Sequence, residues 1–121
     1  MPDKSPTPQG KTLFEKIAAG EIPAEIVYED DRCFALRDIN PVAPTHLLVI
    51  PRAPIPRPSA IAPEDEALVG HLFVVARQLA VEGGLSSGYR LVMNDGPDAG
   101  QSVYHIHLHV LGGRPMAWPP G

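Results

Sequence analysis

The chain has 121 residues and a mass of 13.0 kDa, the size of one domain with a modest core. Apolar residues make up 44% and charged residues 20%, which excludes a disordered or fibrous chain. The formal charge is -4 with no basic run, so polymeric nucleic acid is not an expected ligand, whereas a single nucleotide needs only a few donors. The only cysteine, Cys33, leaves no disulfide framework and no multi-thiolate zinc site. The opening MPDKSPTPQGK lacks the apolar core of a secretory signal, and no window approaches the roughly 18 apolar residues of a membrane span. A cytoplasmic or nuclear protein without a membrane partner is expected.

Residues 1 to 11, with three prolines and no apolar periodicity, read as a disordered tail, and residues 12 to 121 as the single domain. Thr12 and Glu15 have capping-box spacing, with Leu13, Phe14 and Ile17 as an apolar face and Gly20 as a stop, so a short helix is expected. Ile26 to Glu29 and Cys33 to Arg37 are strand-like runs separated by Asp30, Asp31 and Arg32, a hairpin signal. His46 to Ile50 is a buried strand between Pro44 and Pro51. A proline-rich loop follows. Pro63, Glu64, Asp65 and Glu66 then suit a helix N-terminus, and Leu68, Leu72, Val75, Ala76 and Leu79 recur at helical spacing until Gly83 and Gly84. Tyr89 to Met93 and His105 to Leu111 are the last two strands. The expected fold is α+β, two helices against a five-stranded antiparallel sheet.

Three of the five histidines stand at positions 105, 107 and 109. Alternate residues of a strand share a face, so the three imidazoles are expected to line one surface, while Ile106, Leu108 and Val110 pack the other way, toward the helices. The outer pair, His105 and His109, lie roughly 13–14 Å apart on an extended strand, too far for all three to meet on one ion. A site made of two of them with His46 is conceivable, but nothing in the sequence supplies an acidic or thiolate partner, and no metal is assigned. Histidine suits nucleophilic attack on phosphorus near neutrality, provided one ring nitrogen is held protonated by a neighbour such as a carbonyl and the other is free. The remaining imidazoles, partly cationic, and loop amides around Gly100 to Ser102 would counter the phosphate charge.

The run H-I-H-L-H-V-L, preceded by G-Q-S-V-Y and followed by G-G-R-P-M-A-W-P-P-G, resembles the histidine triad (HIT) superfamily, whose motif is His-φ-His-φ-His-φ-φ. D-I-N-P-V-A-P-T-H-L-L-V-I-P, G-Y-R-L-V-M-N-D-G and the tryptophan-containing tail are similar to its nucleotide-binding (HINT) branch, and the likeness covers about residues 12 to 121.

That resemblance implies a HIT-like fold, with two sheets joined across a homodimer and each subunit binding a purine mononucleotide, AMP or GMP. It also implies hydrolysis of adenosine 5′-phosphoramidates to AMP and an amine, without a cofactor. By the same resemblance His107 is the nucleophile, the His105 carbonyl orients it, His109 contacts the phosphate and His46 is the outer histidine of the relay. Ser102 lies near the leaving group, Asn94, Gly100 and Gln101 lie on the phosphate side, Asp38 binds the ribose hydroxyls and Ile39 flanks the base. Trp118 reaches the partner's site. Dinucleoside polyphosphate hydrolysis and a non-catalytic nucleotide-binding scaffold are the rival functions. His71 has no motif role and is read as structural. One departure is Arg52-Ala53-Pro54, where relatives usually carry Lys-x-His; being away from the triad, it is expected to alter loop conformation rather than chemistry.

Overall fold

The computed structural model describes residues 11–121. The expected tail thus lies outside the described residues except for Lys11, whose Nζ pairs with Glu21 at 2.6 Å. Thr12 and Glu15 form the capping box: Thr12 Oγ1 accepts from the Glu15 amide and Glu15 accepts from the Thr12 amide. The result is helix α1, Leu13–Ala18, which buries Phe14 and Ile17.

Five strands follow the expected order: β1 Ile26–Glu29, β2 Cys33–Arg37, β3 Thr45–Pro51, β4 Tyr89–Val92 and β5 Leu108–Gly112. They form one antiparallel sheet in the spatial order β1-β2-β3-β5-β4, which leaves β1 and β4 at the edges. Helix α2, Glu66–Glu82, is entered through a 3₁₀ turn at Pro63–Asp65 and ends at Gly83. It buries Leu72, Val75, Ala76, Leu79 and Ala80 against Val49, Ile106, Leu108 and Val110. The opposite face of the sheet carries a smaller core in which Phe14 and Ile17 meet Phe34, Leu36, Leu48 and Ile50. No helix among the described residues is long and apolar enough to cross a membrane.

The last strand is shorter than its sequence suggests. It begins at Leu108, so His105, Ile106 and His107 precede the ladder. The pairing of β3 with β5 stops at Val49–Leu108 because the chain beyond it is committed elsewhere. Pro51 has no N–H to donate, its carbonyl accepts from His105 Nε2 at 2.6 Å, and the Ile106 amide donates to Ile55 at 2.8 Å.

Candidate active site

The histidine segment crosses from the proline-rich loop onto β5, and its hydrogen bonds determine where each proton sits. The carbonyl of His105 can only accept, so His107 Nδ1, 2.8 Å away, carries a hydrogen and Nε2 keeps its lone pair. On β3, the Val42 amide donates to His46 Nδ1 at 3.2 Å, which leaves the hydrogen on His46 Nε2. That Nε2 donates to His109 Nδ1 at 2.9 Å and lies 3.4 Å from Asp38 Oδ2. The His109 hydrogen must therefore be on Nε2. Ring centroids of His107 and His109 are 5.0 Å apart, so the two rings are neighbours.

Both rings line a recess of about 290 Å³. One wall is apolar, from Leu13, Phe14 and Ile17 of α1 and Ile22, Pro23 and Ala24 after it. The rest of the lining is mixed, with Arg37, Asp38, Asn40, Asn94, Gly100 and Ser102 polar and Leu36, Leu48 and Val103 apolar. A ligand that carries both an apolar ring and polar groups matches this lining. Ile39 is 85% exposed at the rim, where a planar group would lie against it.

Of the residues singled out from the sequence, the recess thus gathers Asp38, Ile39, Asn94, Gly100, Ser102, His107 and His109, with His46 just behind. Three lie elsewhere. His105 is fully buried beneath α1 and has no surface in the recess, so the expected row of three exposed imidazoles is a row of two. Gln101 is turned inward: it accepts from the Gly96 amide and donates to the carbonyls of Pro56 and Val103. Trp118 is 80% exposed on the tail, which Arg90 holds to the edge of the sheet through the Ala117 carbonyl. Sequence reasoning passed over the apolar wall, because Leu13, Phe14 and Ile17 read simply as the buried face of a helix.

The Arg52-Ala53-Pro54 departure is also closer to the site than expected. The loop it opens bonds directly to the histidine segment through Ile55 and Ile106, and to the loop of the recess through Pro56 and Gln101. Asp95, between Asn94 and Gly96, accepts from Arg57 Nε and from the Ser59 amide, both at 2.7 Å. Gly96 has φ +81°, a backbone conformation that strains any other residue, and packs against the Arg57 guanidinium. These contacts hold Asn94, Gly100 and Ser102 at the mouth of the recess.

Burial pushes His46, His105, His107 and His109 all below the ordinary imidazole value. His109 falls to about 4, because His107 and His46 stand beside it as well. The imidazoles are therefore neutral at pH 7, not partly cationic, and they act as directed donors and acceptors rather than as charges. A second titratable cluster lies across the sheet. Asp30 accepts from His71 Nε2 at 2.6 Å, from the Tyr28 hydroxyl at 2.8 Å, and from the amides of Arg32 and Cys33. Burial alone would raise this carboxyl, but the hydrogen bonds hold it well below the carboxylate range, while burial and Asp30 push the Cys33 thiol up to about 12. His71 thereby ties α2 to the β1–β2 turn.

Helix-backed sheet, histidine segment and recess together define a HIT-domain protein: the family's HIT domain matches residues 19–116, and the chain belongs to this family. It is 51% identical to a 14 kDa zinc-binding protein of Zea mays over 112 residues, 91% of this chain and 88% of the relative. A HIT family hydrolase from Legionella pneumophila superposes with a TM-score of 0.88 at 54% identity, covering 90% of this chain and 98% of that one. A histidine triad nucleotide-binding protein from Candida albicans superposes with a TM-score of 0.76 at 28% identity, covering 88% and 82%.

Proposed function

We propose that this protein is a purine nucleoside phosphoramidase, which hydrolyses the P–N bond of adenosine 5′-phosphoramidates to AMP and an amine. The observation that carries this reading is the His107 imidazole, held by the His105 carbonyl with its unprotonated nitrogen available at the recess. Nε2 of His107 attacks the α-phosphorus while the P–N bond breaks, and the departing amine takes a proton from Ser102 or from His109 Nε2–H. Water then attacks phosphorus as the P–Nε2 bond breaks, which releases AMP and restores the His107 lone pair, and the water's proton returns to the group that protonated the amine. Asp38 meets the ribose hydroxyls, Asn94 and Gly100 the phosphate, and Ile39 with the apolar wall the purine. The nucleotide-binding name of the Candida relative and the hydrolase name of the Legionella one agree with this assignment.

A homodimer completes the reading. Strand β4 is an open edge, α2 exposes Phe73, Val74 and Val81, and Trp118 projects into solvent, as expected if a second copy covers them and receives the tryptophan. The maize relative is named for zinc. Asp38, His46 and His109 bring ligand atoms within 4.8 Å of one another, but His46 Nδ1 is taken by the Val42 amide and its Nε2–H by His109 Nδ1, so His46 has no lone pair free for a metal and no zinc is assigned.

The test is intact-mass spectrometry during slow turnover of an adenosine phosphoramidate. An AMP adduct should appear on the wild type and vanish in His107→Ala and His107→Gly, with turnover lost by at least about a thousandfold. Normal turnover by either variant overturns the assignment. Faster cleavage of a diadenosine polyphosphate than of the phosphoramidate would favour the rival hydrolase.

A further inference from the structure

Thr12 is 2% exposed and His105 fully buried, and the two meet at 2.6 Å, Oγ1 to Nδ1. The hydrogens of this contact follow from its surroundings. Pro51 offers only a carbonyl, so His105 Nε2 must carry the hydrogen that reaches it at 2.6 Å. His105 Nδ1 is then an acceptor, and the Thr12 hydroxyl must donate to it. The same hydroxyl oxygen accepts from the Glu15 amide at 3.0 Å, so every group in the chain is used once. The sequence runs from the Glu15 amide to Thr12, from Thr12 to the His105 ring, and from the His105 backbone carbonyl to His107.

We propose that Thr12 is a positioning residue: by pinning the His105 ring between its hydroxyl and the Pro51 carbonyl, it aims the His105 backbone carbonyl that selects the reactive tautomer of His107. This rests on His107 being the nucleophile. A ring pinned at both nitrogens cannot rotate, and the peptide it hangs from cannot turn its carbonyl away from His107 without breaking one of the two bonds. Phe14, two residues on, presses on the same pair, with its ring centroid 5.5 Å from that of His105 and 5.0 Å from that of His107. Helix α1, only six residues long, thus serves the site as well as the core. A capping residue elsewhere needs only to accept; here the second duty demands a hydroxyl that also donates.

The experiment compares Thr12→Val, Thr12→Ser and Glu15→Ala. Glu15→Ala removes half of the capping box without touching His105, and so isolates helix stability. Thr12→Val should lower kcat for an adenosine phosphoramidate about tenfold with little change in KM. Thr12→Ser should keep kcat within about twofold of the wild type, and so should Glu15→Ala, although its melting temperature falls. Imidazole ¹⁵N NMR of the wild type should show His105 protonated on Nε2 and His107 on Nδ1, with the His107 signal becoming a mixture of tautomers in Thr12→Val. The opposite tautomer of His105 in the wild type, an unchanged kcat and His107 tautomer in Thr12→Val, or an equal kcat loss in Glu15→Ala each overturns the proposal. The NMR readout needs no turnover, so absence of an AMP adduct on the wild type would remove the phosphoramidase reading and leave the tautomer relay separately tested.

Discussion

The two faces of the sheet are built for different ends. Helix α2 has 17 residues and lays an unbroken apolar stripe over Val49, Ile106, Leu108 and Val110. Helix α1 has six residues and covers its face only partly, beside two imidazoles and a recess. One strand supplies both faces, because residues of opposite parity along the final segment point to opposite sides. The difference teaches that the larger core holds the strand still while the smaller core leaves room for a ligand, so stability and chemistry should respond separately to substitution.

The largest stability effect is expected on the α2 face. Leu72 is fully buried there, and Leu72→Ala should cost about 2–5 kcal/mol in urea unfolding while kcat of the folded protein stays within about twofold. A kcat loss as deep as the stability loss would show that the faces are coupled.

A smaller effect is expected at the proline-rich loop. Asp95→Ala releases Arg57 and the Ser59 amide, and it should raise KM for the phosphoramidate about three- to tenfold, roughly the worth of one or two partly exposed hydrogen bonds. Unchanged KM would mean that Asn94, Gly100 and Ser102 are held without this loop.

The smallest effect is one of pH. The four imidazoles of the α1 face bind protons less readily in the folded chain than in the unfolded one. Their contribution to stability is therefore present above pH about 6.5 and is lost as the pH falls toward the depressed folded values. Asp30, which anchors the α2 face, follows the same sign at lower pH, with stability lost only below its ordinary value near 3.8. The melting temperature should thus fall in two stages between pH 7.5 and 2.5. His46→Gln should flatten the upper stage alone, and a single stage would remove the distinction between the faces.

Much of this was legible in the chain. Thr12 and Glu15 announced α1, the spacing of Leu72, Val75, Ala76 and Leu79 announced α2, and the alternation of His107 and His109 with Leu108 and Val110 placed the two rings opposite the core. Each rests on local geometry, a cap or a period, which a sequence states directly. The fate of His105 was not legible, nor were the inward turn of Gln101 and the clasp of Asp95 by Arg57, since each depends on a partner 38 or more residues away. The sequence by itself determined the fold class, the pattern of elements and which residue types could do chemistry. Only the tertiary structure decided which imidazole is sealed under α1, which nitrogen of each ring holds a hydrogen and how the proline-rich loop braces the recess, because a hydrogen-bond donor is assigned only when the acceptor that faces it across the fold is known.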